Sequence, residues 1–263
     1  MLPMTLVEIA ESVSGKIIGE YDLGQTVCAV NLDSRKIMSG SLFIPIIGKN
    51  FDGHDFIKSA FENGASAALT SRGEPVEGGI CIAVDDTRIA MKKLAMHYRA
   101  KFDIPFIAVT GSVGKTTAKD MIASVLSQKM NVLKTNQNLN NDIGLPQMIF
   151  NLSPEHEAAV LELGMNHSGE IRYLAEIVRP DLAVITNVGD AHIENLGNRE
   201  NIFKAKCEVL EYLGVDGAVV VNGDDSFLKT LKDTQRSTVI LCGEGENCEV
   251  RAENICTGDT VSL

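Results

Sequence analysis

The 263-residue chain has no block of lysine and arginine, and its formal charge is −11. That balance excludes the broad cationic surface a nucleic-acid partner needs, while leaving local nucleotide binding open. No apolar run approaches the length of a membrane span. The amino terminus, Met1-Leu2-Pro3-Met4-Thr5, lacks a basic region followed by a long apolar core. The six cysteines (Cys28, Cys81, Cys207, Cys242, Cys248 and Cys256) have no metal-type spacing. Thiols so scattered in a chain this large read as reduced groups of a cytoplasmic protein, not as a disulfide framework. Internal repeats and low-complexity segments are absent too. What is present is a hydrophobic content of 44%, ample for one or two packed cores.

Residues 1–85 read as short strands alternating with one or two helices. A short opening helix is expected over 6–13, and a strand over 41–46 in which Pro45 marks an edge or an end. Phe56, Ile57, Ala60 and Phe61 recur at helical spacing within 54–63, and Asn63-Gly64 stops that helix. Strands follow at 67–70 and 80–84. Asp86-Thr87 caps a helix to about Tyr98, with Ile89, Leu94, Ala95 and Tyr98 inward. Lys101-Phe102-Asp103-Ile104-Pro105 breaks that helix and places a domain boundary, giving 1–103 and 104–263. Beyond it, strands at 106–110, 158–163, 181–187, 217–222 and 238–242 alternate with helices near 115–128, 169–178, 200–213 and 225–232. This alternation is the mark of an α/β fold with a mostly parallel sheet. The tail from Cys248 looks like the start of a β-hairpin around Thr257-Gly258-Asp259. It stops in mid-pattern, so the second domain reads as incomplete at its carboxyl end.

The chemistry concentrates at Phe106-Ile107-Ala108-Val109-Thr110-Gly111-Ser112-Val113-Gly114-Lys115-Thr116-Thr117. A buried β-branched strand, a glycine loop and a helix start make a phosphate cradle, or P-loop. Backbone N–H groups and the helix dipole face the anion, Lys115 neutralises a terminal phosphate, and the Thr116 hydroxyl can ligate magnesium. Val109 stands where the longer pattern has glycine, so the match is the compact form Thr-Gly-x-x-Gly-Lys-Thr. The bland alternative is an ordinary glycine-rich turn. Loop, lysine and paired threonines together favour a nucleotide triphosphate site.

Ligands of an open parallel sheet collect at the carboxyl ends of its strands. Glu162 closes one predicted strand, and His192 follows another through Thr186-Asn187-Val188-Gly189-Asp190-Ala191. Taken singly, they read equally well as a surface carboxylate and a loop histidine. Beside Lys115 and Thr116 they become candidate magnesium ligands. Lys206 lies on the apolar stripe of Ile202, Phe203, Val209, Leu210 and Leu213. The pattern by itself favours a snorkelling side chain. The alternative is a desolvated amine able to react with CO₂, giving an anionic carbamate suited to a second magnesium. The run Asn136-Gln137-Asn138-Leu139-Asn140-Asn141 is either a self-satisfied turn or a loop presenting amides to phosphate or acyl oxygens. In the first domain, Asp33-Ser34-Arg35-Lys36 and Gly48-Lys49-Asn50-Phe51-Asp52-Gly53-His54 could hold a diphosphate, although without further context each reads as a solvated loop.

Taken in order, the P-loop, Asn138-Leu139-Asn140-Asn141-x-Ile143-Gly144-x-Pro146, Glu162-Leu163-Gly164-Met165-Asn166, Thr186-Asn187-x-Gly189-x-Ala191-His192 and Ala205-Lys206-x-Glu208 resemble the Mur ligases of peptidoglycan synthesis. The resemblance runs over essentially the whole chain. It implies a small amino-terminal α/β domain binding a UDP-linked peptide, followed by an ATP-binding domain. ATP would phosphorylate the peptide carboxylate, and an amine would attack the resulting acyl phosphate. By that resemblance Gly111, Ser112, Val113, Gly114, Lys115, Thr116 and Thr117 bind ATP, and Thr116 and Glu162 hold one Mg²⁺. Glu162, His192 and carbamylated Lys206 hold a second. Lys115, Glu162, His192 and Lys206 are then the catalytic set. Asn138, Asn140 and Asn141 position the acceptor, and Ser34, Arg35, Asp52 and His54 serve the UDP end. The segments 138–144, 164–171, 33–35 and 51–56 favour the member that joins D-alanyl-D-alanine to UDP-N-acetylmuramoyl-tripeptide over those that add meso-diaminopimelate or lysine. A monomer is expected, without nucleic-acid or membrane partner. Family members carry a third domain, so the chain reads as truncated before it. A non-catalytic UDP-peptide or nucleotide module is the rival from another class. A P-loop GTPase or kinase would need a Walker-B-type aspartate and a base-recognition motif; the Asn222-Gly223-Asp224-Asp225 turn reads as a strand-to-helix cap.

Overall fold

Short apolar runs punctuated by turn residues build a five-stranded and a seven-stranded sheet, besides two two-stranded ones among the described residues. The computed structural model describes residues 1–235, 237–257 and 261–262. Two units divide the chain: Met1–Phe102 with Pro146–Pro154, and Asp103–Leu145 with Glu155–Leu263. A single cut at 103/104 does not foresee the return of Pro146–Pro154 to the first unit. Apolar packing and hydrogen bonding contribute to it, since Phe150 and Leu152 are buried, the Phe150 ring lies 6.2 Å from that of Tyr98, and the Tyr98 hydroxyl donates to the Leu152 carbonyl at 2.7 Å.

The first unit runs β1 (Met4–Thr5), α1 (Leu6–Val13), β2 (Lys16–Ile18), β3 (Thr26–Val27), β4 (Ala29–Asn31), β5 (Ser41–Phe43), α2 (Ile57–Glu62), β6 (Ala67–Thr70), β7 (Ile80–Ala83) and α3 (Thr87–Arg99). Its five-stranded sheet has the order β2-β7-β6-β5-β4, parallel except for the β2–β7 pair. β5 is an interior strand that stops before Pro45, so the proline marks an end and not an edge. The predicted helix over 54–63 begins as a 3-10 turn, Gly53–Phe56, and Phe56 is exposed. In α3 the Asp86 carboxylate accepts from the Arg88 and Ile89 N–H groups. Its buried stripe is Thr87, Ala90, Met91, Leu94, Ala95 and Tyr98. Ile89, predicted inward, falls off that 3.6-residue stripe and is exposed.

The second unit runs β8 (Phe106–Thr110), α4 (Lys115–Leu126), β9 (Val132–Lys134), the start of α5 (Gly144–Phe150, which belongs to the first unit from Pro146 on), β10 (Ala158–Glu162), α6 (Glu170–Val178), β11 (Leu182–Ile185), α7 (Ile193–Leu196), α8 (Arg199–Cys207), β12 (Ala218–Asn222), α9 (Leu231–Thr234), β13 (Thr238–Gly243) and β14 (Val250–Arg251). Its seven strands, ordered β14-β13-β12-β11-β8-β10-β9, are all parallel. Every residue of β8 and β10 is buried, as expected of central strands covered on both faces. The chain steps from β8 to β9 one way across the sheet, and from β10 to β11 and β12 the other way. Right-handed crossovers therefore put α4 on one face and α6 and α8 on the opposite one. Ile107 and Val109 pack with Ala123 of α4, while Phe106, Ala108 and Thr110 face the other side. The helix predicted over 200–213 is α8 followed by a 3-10 turn, Glu208–Tyr212. β15 (Cys256–Thr257) and β16 (Val261–Ser262) pair antiparallel, and the predicted turn residues Gly258 and Asp259 lie outside the described residues. Among the described residues no helix is long and apolar enough to cross a membrane.

Candidate functional site

The carboxyl ends of β10, β8 and β11 lie side by side in the sheet. Between β8 and α4, Gly111 has φ +150°, and a Cβ there would sit 1.9 Å from Thr186 Oγ1. No side chain fits. Gly114, at φ +78°, caps α4 without a side-chain hydrogen bond, so the first-turn N–H groups and the positive helix end face the loop. The loop is braced by the segment after β11. Asn187 accepts from Ser112 N through its carbonyl (3.1 Å) and from Val113 N through Oδ1 (3.0 Å). Thr186 Oγ1 and Asn187 Nδ2 donate to the Val113 carbonyl at 2.6 and 3.1 Å, and Gly189 N donates to Ser112 Oγ at 2.9 Å. Lys115 Nζ is folded onto the loop carbonyls, 2.9 Å from Gly111 O and 3.4 Å from Ser112 O. Burial holds its pKa below the ordinary lysine value, with the Glu162 charge opposing. Thr117 is exposed.

At the end of β10, Glu162 is 3% exposed, which removes the surface-residue reading. Its Oε2 accepts from Thr116 Oγ1 and its Oε1 from Asn140 Nδ2, both at 2.8 Å. Its backbone N–H donates to Thr135 Oγ1 at 2.8 Å. The asparagine-rich run thus divides its labour. Asn140 reaches the carboxylate, while Asn141 Oδ1 accepts from Ile143 N and Gly144 N and so starts α5. Asn138 is exposed.

Lys206 is 1% exposed, so the snorkelling arrangement does not occur. Among the described residues its ammonium has no hydrogen-bond or ion-pair partner. Burial first, and the charge of Lys115 second, push its pKa down to about 7. The charge of Lys115 acts on it, so its amine neighbours the P-loop lysine. Two residues on, the buried Glu208 carboxylate accepts from Ser168 Oγ (3.0 Å), Gly169 N (2.8 Å) and Arg172 N (3.0 Å), the start of α6. It ties the chain beyond Lys206 to α6, a task sequence reasoning missed. The available signal was a carboxylate beside a lysine on an apolar stripe. His192, at φ +64°, precedes α7 and is partly buried. Its loop is held by Asp225, whose Oδ2 accepts from Val188 N at 2.8 Å while Oδ1 caps the 3-10 turn Leu228–Thr230 through Phe227 N and Leu228 N. Arg199 grips Asp190 with two bonds of 2.6 Å. Among the described residues no group of three or more His, Cys, Asp or Glu side chains clusters as a metal site. The Thr116–Glu162 oxygens suit magnesium, which takes few protein ligands and completes its shell with phosphate and water.

In the first unit a cleft of 640 Å³ is lined by Ser34, Arg35, Phe43, Ile46, Phe51 and Phe56 among others. Arg35 pairs with Asp33 at 2.8 Å, and that hydrogen bond holds the Asp33 carboxyl down to about 2. Asp52 and His54 do not line the cleft. Ser71 N donates to His54 Nε2 at 3.0 Å, so the proton sits on Nδ1, which donates to Asp52 at 2.6 Å. Asp52 also accepts from His54 N and Arg72, and the backbone N–H contributes most to holding its carboxyl well below the usual range. This cluster around the buried His54 fixes the turn whose neighbours, Phe51 and Phe56, line the cleft.

A glycine loop opening a helix, hard oxygen donors beside it and a parallel sheet define a P-loop nucleotide-binding α/β protein. Residues 109–261 match the Mur ligase middle domain, and residues 26–119 match the Mur ligase family catalytic domain. The chain belongs to the Mur ligase family. It is 42% identical over 240 residues to the UDP-N-acetylmuramoyl-tripeptide–D-alanyl-D-alanine ligase of Bacillus subtilis, covering 90% of this chain and 52% of that protein. Against the Escherichia coli ligase of the same name identity is 40%, over 86% of this chain and 49% of that one. Among solved structures, MurF of Acinetobacter baumannii superposes with a TM-score of 0.89 at 34% identity, covering 96% of this chain and 56% of that one. MurF of Thermotoga maritima in complex with ADP gives 0.81 at 33%, covering 88% and 53%. The chain spans about half the length of the curated relatives it matches.

Proposed function

We propose that the chain serves ATP-dependent formation of an amide bond, joining D-alanyl-D-alanine to UDP-N-acetylmuramoyl-tripeptide through an acyl phosphate. The observation that carries this reading is the buried Glu162 carboxylate, gripped by Thr116 and Asn140 beside the P-loop, with an unpaired buried amine, Lys206, on the same site. The named relatives favour this substrate pair over other amino acids. In this reading the first-turn N–H groups of α4 and Lys115 hold the ATP phosphates, with Lys115 exchanging loop carbonyls for phosphate oxygens. Thr116 and Glu162 hold one Mg²⁺; Glu162, His192 and the carbamate of Lys206 hold a second. The metals would offset repulsion between an anionic carboxylate and an anionic γ-phosphate. As an ammonium Lys206 cannot ligate a cation, whereas as a carbamate it offers an oxygen, and its lack of a protein partner fits that role. Asn140 orients Glu162, and the neighbouring Asn138 and Asn141 belong to the acceptor loop. The cleft of the first unit takes the uridine diphosphate end, with Arg35 for phosphate and Phe51 and Phe56 for the flat base.

Calorimetric titration with UDP-N-acetylmuramoyl-tripeptide and, separately, with Mg-ATP tests the reading. Saturable binding of both, with ADP release on adding D-alanyl-D-alanine, is the expected result. Binding of both without ADP release would make the chain a binding module. If neither ligand bound a chain with native circular dichroism, the substrate assignment would be wrong.

A further inference from the structure

Thr110 has no task in the site described above. It ends β8, is 1% exposed, and its Oγ1 has no hydrogen-bond partner. A buried, unpaired hydroxyl is destabilising compared with valine, its apolar isostere. The side chain's direction follows from the strand. Ile107 and Val109 pack toward α4, so Thr110 points to the face covered by α6 and α8, the face on which Lys206 is buried. The ammonium of Lys115, whose charge acts on Lys206, sits 2.9 Å from the carbonyl of Gly111, the residue after Thr110. A buried hydroxyl without a partner and a buried lysine whose amine has no protein partner among the described residues therefore lie on the same face of the sheet. The other buried hydroxyls without partners among the described residues lie elsewhere: Ser41 in the first unit, and Ser237 before the amino end of β13.

We propose that the Thr110 hydroxyl is the internal hydrogen-bond donor to the carbamate on Lys206, a positioning residue that turns the modified side chain toward the P-loop. The inference rests on the carbamate reading given above. In that step the lone pair of the neutral Nζ forms a bond to the carbon of CO₂. One C=O π pair moves to its oxygen as the anionic charge, and the Nζ proton leaves to solvent. The anion so formed would be buried with its inner oxygen unpaired unless a donor faces it. A hydroxyl donates to such an oxygen, and Thr110 Oγ1, unpaired while the amine is unmodified, has its proton free for that task.

The test is carbon-13 NMR of the carbamate carbon, with the full chain titrated with labelled bicarbonate. Wild type is expected to show a resonance that Lys206→Ala lacks. In Thr110→Val the half-saturating bicarbonate concentration should rise about tenfold, the size of one hydrogen bond to a charged group. Its melting temperature should stay equal or rise, and Thr110→Ser should restore the wild-type midpoint. Thr110→Ala reads the same loss should the valine variant fail to fold. A wild-type bicarbonate midpoint in Thr110→Val, or a serine variant as impaired as valine, would overturn the role of Thr110 while leaving the carbamate standing. No Lys206-dependent resonance in wild type would overturn the carbamate itself, and this inference with it.

Discussion

The two faces of the seven-stranded sheet each bury a lysine, and the two are treated in opposite ways. On the α4 face, Lys119 is 3% exposed, donates to the Thr135 carbonyl at 2.8 Å and lies 3.4 Å from Asp120. On the other face Lys206 is as deeply buried and has no partner among the described residues. Burial alone does not single out a reactive amine. A buried ammonium that serves the fold is paired, because leaving it unpaired costs stability. The one left unpaired is the candidate for chemistry.

The largest effect should come from a third lysine, the half-buried Lys115. Lys115→Met removes a charged donor from the phosphates, a loss of about 1.5–3 kcal/mol in Mg-ATP binding by calorimetry. Unaltered affinity would take the P-loop out of the site. Next, Lys119→Met should destabilise the fold by about 1–3 kcal/mol, since it leaves the Thr135 carbonyl unpaired. Lys206→Met should be neutral or stabilising, as replacing a buried charge by an apolar side chain often is. Denaturant titration of both variants decides the matter, and equal losses would end the contrast between the faces. Glu208→Ala, which strips the start of α6 of its acceptor, should cost about 1–2 kcal/mol in the same assay. A loss near zero would mean that α6 does not depend on that carboxylate. The smallest effect carries the rule into the first unit, where buried His54 is bonded at both ring nitrogens. The Asp52 carboxyl that serves it is depressed below its ordinary value of 3.8, so its stabilisation is present above that value and lost as pH falls below it. Asp52→Asn should lower the melting temperature at neutral pH and flatten its decline below pH ~4. A decline as steep as wild type would assign acid sensitivity to other groups.

Much of this was legible from pattern. The central strands are continuous apolar runs, and the glycines of the P-loop announce a close approach that only glycine permits. What stayed illegible depends on partners distant in sequence. Thr186, 75 residues beyond Gly111, is what excludes a side chain there, and no local signal reveals it. The choice between a snorkelling and a buried Lys206 turned on the tertiary packing around α8, which periodicity does not register. Periodicity misplaced Ile89 because a helix of mixed composition offers more than one apolar stripe. His54 and Asp52 looked like loop residues because Ser71 and Arg72, which complete their cluster, lie beyond α2.

Five hydrogen bonds knit the P-loop to the segment after β11, from Ser112 and Val113 to Thr186, Asn187 and Gly189. These two stretches therefore behave as one stiff plate and not as two independent hinges. A nucleotide meets a cradle whose shape was settled when the sheet assembled, so little ordering remains to be done on binding. Any displacement of the loop by a phosphate also carries along the chain that leads to His192, which makes the spacing between these two strand ends a mechanical property of the fold.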